Sequence, residues 1–309
     1  MSELIFHHYP NSPFSEKIRL IFGFKKLAWR SVTIPVIMPK PDLVALTGGY
    51  RRTPVLQVGA DIYCDTALIA DLLERLQPVP TLFPAAQEAL VRTLAQWADS
   101  TLFWTAIAYA FQPAGMAGMF AAMPPEALKA FGADRAALRA NAPRMPVAEA
   151  TAQLTTYLQR FESMLAQGHA WLLGTKPTLV DFSVYHALWY VRRATAVASI
   201  LDTVPGVLAW MDRVAAIGHG DAETMTGAQA LAVAEAAVSL PTTEAAFVDH
   251  HGVVLGDTVA IMPTDYGLDP VAGTLVLSTA DEFALEREDA RCGKVVVHFP
   301  RIGFQLKKI

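Results

Sequence analysis

The stretch His8-Tyr9-Pro10-Asn11-Ser12-Pro13-Phe14-Ser15-Glu16-Lys17-Ile18-Arg19 decides how this chain is read. Before it, Leu4-Ile5-Phe6 has the character of a short buried strand. After it, Phe14, Ile18, Ile21 and Phe22 recur at helical spacing, which predicts a helix over Pro13–Phe24. Proline suits the first position of that helix, where a missing N–H costs nothing. Ser12 then falls at the N-cap, where a hydroxyl accepts from an otherwise orphaned backbone donor. Capping alone accounts for such a serine. The same place also lies in the field of exposed N–H groups, which stabilises an anion such as a thiolate. Ser15 sits one turn on, in an S-x-x-S spacing that corresponds to the C-x-x-C of thioredoxin-like redox proteins.

Outward from this turn, Trp29–Ile34 reads as a second strand, followed by a proline-rich stretch at Pro35, Pro39 and Pro41. Pro54–Val58 and Asp61–Cys64 read as a hairpin turning at Gly59-Ala60. Leu68, Ile69, Leu72, Leu73 and Leu76 then make one apolar stripe along a helix over Thr66–Leu76. The resulting order β-α-β-α-β-β-α predicts a mixed sheet with helices on its faces over residues 1–83. Residues 84–240 are rich in Ala and Leu and read as helical throughout, with breaks near Pro113, Pro124-Pro125, Pro143–Pro146 and Gly174–Pro177 among others. Within them, Gln112–Met145 is heavy in Met, Ala, Gly and Pro. It reads either as an insertion bordering a substrate pocket or as loosely packed core. From 245 to 309 the periodicity changes to two, and Thr258–Met262, Thr274–Ser278, Phe283–Arg287 and Lys294–Phe299 read as strands. A small all-β, barrel-like domain is expected there, with Val295–Arg301 as an edge strand ended by proline.

Composition excludes several function classes. The 309 residues are 53% hydrophobic and 17% charged, enough to build large cores and too apolar for a disordered chain. A formal charge of −4 without a block of Lys or Arg argues against a nucleic-acid partner. Two cysteines, Cys64 and Cys292, make neither a disulfide framework nor a thiolate zinc site, and His250, His251 and His298 lack metal-ligand spacing, so no metal is expected. Cys64 is expected to face the core, with a reactive thiol as the other reading, and His7-His8 to sit in the core or at its rim. No run reaches the length of a membrane span and MSELIFHHYP lacks a secretory pattern, so a soluble cytoplasmic protein without membrane contact is expected.

Three motifs together resemble the glutathione S-transferase family: Ser12-Pro13-Phe14-Ser15, Thr53-Pro54-Val55 and Asp65-Thr66-Ala67-Leu68-Ile69. Gly174-Thr175-Lys176-Pro177-Thr178-Leu179-Val180-Asp181 extends the likeness, resembling the capping box and hydrophobic staple of that family's helical domain. The resemblance covers residues 1–240. It implies a thioredoxin-like α/β domain, then an all-α domain, with glutathione as cosubstrate and a homodimer as the assembly. It further implies a cis peptide before Pro54, with Thr53 offering its backbone to the ligand, and Asp65 and Thr66 holding the γ-glutamyl group. Ser12, with Ser15 next in line, would stabilise the thiolate for attack on a small apolar electrophile, a detoxification chemistry. Arg52, and less directly Arg51, would pair with the glycine carboxylate, unless they form a solvated surface pair. Asp and Thr at 65 and 66 replace the commoner Glu and Ser, and serine at position 12 excludes a mixed disulfide there. A non-catalytic binding protein on the same scaffold and a glutathione-dependent isomerase or dehalogenase stay open as alternatives. The β-rich tail lies outside the resemblance; covering the cleft, extending the dimer and recruiting a partner are three open roles for it.

Overall fold

A computed structural model describes residues 3–140, 142, 144–239 and 246–309. The expected break at Pro143 and the expected domain limits at 240 and 245 lie outside them. The first part follows the predicted order: β1 (Leu4–His8), α1 (Pro13–Phe24), β2 (Ala28–Thr33), α2 (Pro41–Thr47), β3 (Val55–Val58), β4 (Asp61–Cys64) and α3 (Thr66–Leu76). β1 runs parallel to β2, with Ile5 opposite Arg30, and antiparallel to β3, with Phe6 opposite Leu56. β4 completes the hairpin with β3. This is a thioredoxin-like arrangement.

Helices α4 (Glu88–Trp97), α5 (Phe103–Ala110), α6 (Pro113–Met119), α7 (Pro125–Arg139), α8 (Val147–Leu165), α9 (Leu179–Arg193) and α10 (Pro205–Ala215) follow. A π-turn at Ala98–Leu102 joins α4 to α5. The box before α9 forms as expected. Thr178 N–H donates to Asp181 Oδ2 at 2.9 Å, and Asp181 Oδ1 accepts from Leu172 N–H at 3.0 Å and from the Trp210 indole at 2.9 Å. α9 is buried along most of its length, so its first turn needs these internal partners.

The remainder departs from expectation in three ways. First, residues 84–240 are not helical throughout: β5 (Asp221–Thr224) adds to the sheet beside β2 before α11 (Gly227–Ala236). All four β5 residues are exposed, so the strand has no apolar alternation to betray it. Second, β6 (Thr258–Pro263), β7 (Val271–Ser278), β8 (Glu282–Asp289), β9 (Gly293–Pro300) and β10 (Phe304–Lys308) do not stand apart as a barrel-like domain. They continue the first domain's sheet in the order β10-β6-β7-β8-β9-β4-β3-β1-β2-β5. Third, β9 is no edge strand. It lies between β8 and β4, parallel to β4, with His298 opposite Tyr63.

The cause lies in the faces of this sheet. Phe6, Leu56 and Tyr63 point to the side of α1, α3 and the helical domain, in one large core. Ile5, Val55 and Ile62 point the other way, into a second core shared with α2, α11 and the apolar face of the extension. Tyr50 packs against Phe299 and Phe304 there, with ring centroids 5.9 and 6.3 Å apart. Fully burying one apolar side chain of this second core is worth about 1.5–3 kcal/mol.

Candidate active site

The local sequence places each expected residue at the end of an element. Ser12 caps α1 in extended conformation, and its Oγ accepts from the Ser15 N–H at 3.2 Å. Its side chain is almost closed off, at 2% exposure, and Tyr9 lies within hydrogen-bond reach of it. Burial pushes the Tyr9 phenol pKa up, against the pull of Arg135 and Ser12. Ser15 is buried, and its Oγ has no hydrogen-bond partner.

The peptide between Thr53 and Pro54 is cis. Asp65 caps α3 at φ +76°, in the left-handed region that Asp tolerates better than most residues, and accepts from the Ala67 N–H at 2.9 Å. Burial raises the Asp65 pKa in spite of Arg52, whose Nη1 lies 4.0 Å from its carboxylate. Thr66 follows in the first turn. Thr53, Pro54, Asp65 and Thr66 all line one cleft of about 620 Å³, together with Phe14 and Arg52. Ser12 and Ser15 are not on its lining; Phe14, between them in sequence, is.

Four side chains that sequence reasoning passed over complete this region. Lys17 is wholly buried, with Nζ 3.3 Å from Thr66 Oγ1 and 2.5 Å from Asp99 Oδ2. Asp99, carried by the π-turn, also meets His186 Nε2 at 3.0 Å. Burial opposes the Asp99 charge, yet Lys17 and His186 hold its pKa below the usual carboxylate value. Burial also depresses His186, against the pull of Asp99. Lys40 donates to Thr53 Oγ1 at 3.0 Å, and burial, with Arg135 and Arg51 nearby, lowers its pKa to about 8. Lys17 and Lys40 carried no sequence signal, because their partners come from other elements.

The extension also contributes to the cleft: Asp265, Tyr266, Ile302 and Phe304 line it together with Thr66 and Ala67. The Tyr266 ring lies over the Arg52 guanidinium at 3.8 Å and meets Trp104 edge-on at 5.1 Å. Arg51 and Arg52, expected to await a ligand carboxylate, already have protein partners. Arg51 donates to Asp134 at 2.9 Å, and Arg52 pairs with Asp265. Neither is the plain solvated pair that was the other reading, since both side chains are largely buried.

The remaining candidates settle elsewhere. Cys64 is fully buried, and burial raises its thiol pKa well above the ordinary value, as befits a core residue. His7 bonds Gln57 at 2.9 Å and His8 bonds Ser31 at 2.9 Å, both inside the sheet. Among the described residues no cluster of metal ligands occurs, and no helix is long and apolar enough to cross a membrane.

Comparison with known proteins agrees with this fold. Residues 6–81 match the glutathione S-transferase N-terminal domain and residues 111–217 the C-terminal domain. A GST-like protein from Pseudomonas syringae is 44% identical, with each chain covered over 100% of its length and a TM-score of 0.85. The extension is therefore shared with that protein. A glutathione transferase from Phanerochaete chrysosporium is 19% identical, covering 72% of this chain and 99% of its own, with a TM-score of 0.56. A glutathione S-transferase from Rhodospirillum rubrum is 20% identical, covering 68% of this chain and 87% of its own, with a TM-score of 0.52. At such identities the last two share the fold alone. No curated protein matches the chain.

Proposed function

Since the chain belongs to the glutathione S-transferase family, we propose that it is an enzyme that binds glutathione in this cleft and activates its thiol for attack on a small apolar electrophile. The observation that carries this reading is the convergence of Thr53, cis-Pro54, Asp65 and Thr66 on one cleft wall. The γ-glutamyl carboxylate would sit at the N-terminus of α3, where the Thr66 hydroxyl and free backbone N–H groups offer donors and the helix field favours an anion. The cysteinyl backbone would pair with Thr53, leaving the sulfur directed to the N-terminus of α1.

Ser12 is the proposed thiolate stabiliser. Its Oγ accepts from Ser15 N–H, which leaves its own proton as the group it can donate. Ser15, buried within the first turn of α1 with its Oγ unpartnered, is the reserve candidate. Lowering a thiol pKa by about 2 units amounts to about 2.7 kcal/mol of thiolate stabilisation. The thiolate then attacks the electrophile by addition or displacement, and a homodimer engaged in detoxification is the assembly and role that fit the family.

One observation favours a second reading, a glutathione-fold protein that binds without turnover: Ser12 is only 2% exposed. Retention on immobilised glutathione together with turnover of a general aromatic electrophile supports the enzyme. Retention without turnover supports the binding protein, and loss of both sinks the glutathione reading.

A further inference from the structure

The loop between β6 and β7, residues 264–270, reaches from the extension across the first domain and ends against the helical domain. Four contacts seat it. Arg52 Nε donates to the Tyr266 carbonyl at 3.2 Å, and the Tyr266 ring covers the guanidinium at 3.8 Å. Tyr266 also meets Trp104 of α5. Gly267 N–H donates to the Leu138 carbonyl of α7 at 2.7 Å. Gly267 adopts φ +60°, in the left-handed region that glycine takes without strain, and a Cβ there would lie 3.1 Å from Leu138 Cδ1.

This loop carries two carboxylates, and each is turned on one of the adjacent arginines. Asp265 pairs with Arg52, and Asp269 Oδ2 lies 3.8 Å from Arg51 Nη1. The arginine side chains are 11% and 13% exposed, whereas both aspartates are 49% exposed. The carboxylates are therefore the solvent-facing members of both pairs. Arg51 is further held by Asp134 of α7, which also takes the Met38 N–H at 3.1 Å. Asp65, Asp134, Asp265 and Asp269 stand around the two guanidinium groups, so each of these arginines already has carboxylate partners within the protein.

We propose that loop 264–270 determines ligand specificity: Asp265 and Asp269 occupy the arginines that would otherwise take a thiol ligand's free C-terminal carboxylate, so the cleft suits glutathione-type thiols whose glycine end is neutral or amide-linked as well as free glutathione. This rests on the glutathione reading above and deepens it. A free carboxylate entering at Arg52 has to displace Asp265, an exchange of one anion for another with no net gain, whereas a neutral end leaves the pair in place.

The test compares glutathione with its glycine ethyl ester by calorimetric titration, on the full-length protein and on the Asp265→Asn/Asp269→Asn variant. The wild type is expected to bind both thiols within about threefold of each other. The variant, which keeps side chains of the same size on a half-exposed loop, is expected to bind free glutathione about tenfold more tightly while its affinity for the ester stays the same. A wild type that favours free glutathione tenfold or more, or a variant that gains nothing or loses affinity for it, overturns the proposal. Failure of both thiols to bind either protein overturns the glutathione reading itself and this inference with it. Asp265→Asn alone, with Asp269 intact, is expected to give an intermediate gain; equal loss of both ligands there would mean that the loop's charges merely hold the fold.

Discussion

His298 of β9 and Asp61 of β4 meet at 3.1 Å across the parallel seam that joins the extension to the first domain. The other ring nitrogen lies 2.5 Å from Glu282 of β8, and the ring stacks on Tyr63 at 4.4 Å. Carboxylates only accept hydrogen bonds, so both ring nitrogens donate and the imidazole is held as its cation. Burial opposes that charge, but Asp61 and Glu282 overcome it and raise the His298 pKa above its ordinary 6.5.

A pH dependence of known sign follows. A raised histidine pKa stabilises the fold fully below about 6.5, and that contribution is lost as pH rises through the folded-state value. His298→Asn is expected to cost about 3–5 kcal/mol at pH 6, because two buried carboxylates lose their cation. The gap in thermal midpoint between variant and wild type should narrow toward pH 9. A gap that stays constant with pH would contradict the assignment.

Lys17 and Asp99 make the opposite case. Asp99→Asn removes the counter-ion of a wholly buried lysine and should cost about 3–5 kcal/mol in denaturant unfolding. Lys17→Met combined with Asp99→Asn should recover at least half of that, since an apolar side chain carries no desolvation penalty. Because the Asp99 pKa is depressed, its contribution is present above the unfolded carboxylate value and fades as pH falls through the folded one. A single variant within about 1 kcal/mol of wild type would refute the buried pair.

Much of this was legible in the sequence where local chemistry decides the outcome. Ser12-Pro13 starts α1, Asp65 caps α3, and Thr178 with Asp181 opens α9, because each signal lies within four residues of its effect. Four of the five strands of the extension were legible too, all but β10, but not their place. Val295-Val296-Val297-His298-Phe299 is a continuous apolar run, as expected of a strand covered on both faces, and the terminal Pro300 suggested an edge instead. Partners distant in the chain were illegible: Lys17 and Asp99 are 82 positions apart, and Arg52 and Asp265 are 213 apart. No periodicity encodes such a pairing.

Asp65 separates folding from binding. Asparagine keeps an acceptor for the Ala67 N–H and tolerates the left-handed backbone, so Asp65→Asn should change stability by less than about 0.5 kcal/mol. Losing the carboxylate proposed to meet the ammonium of the γ-glutamyl group should nevertheless weaken glutathione about tenfold in equilibrium titration, about 1.4 kcal/mol. Asp65→Ala should lose about 1 kcal/mol of stability in addition. Unaltered affinity in the asparagine variant would remove Asp65 from the binding site.

Asp181 is expected to matter for folding only. Asp181→Ala strands three buried donors, the N–H groups of Leu172 and Thr178 and the Trp210 indole, at a cost of about 3 kcal/mol or more. The folded fraction should keep the glutathione affinity of the wild type. A selective loss of affinity at unchanged stability would place this box in the site.

The central claim, that the N-terminus of α1 with Ser12 holds glutathione as a thiolate, is tested most directly by titrating the absorbance of bound glutathione thiolate against pH in the wild type and in Ser12→Ala. The wild type should show a thiol pKa about 2 units below the free value of about 8.5–9. The variant should return most of the way to the free value, with turnover falling about 100-fold. An unchanged thiol pKa with unchanged turnover would contradict the assignment and pass the role to Ser15.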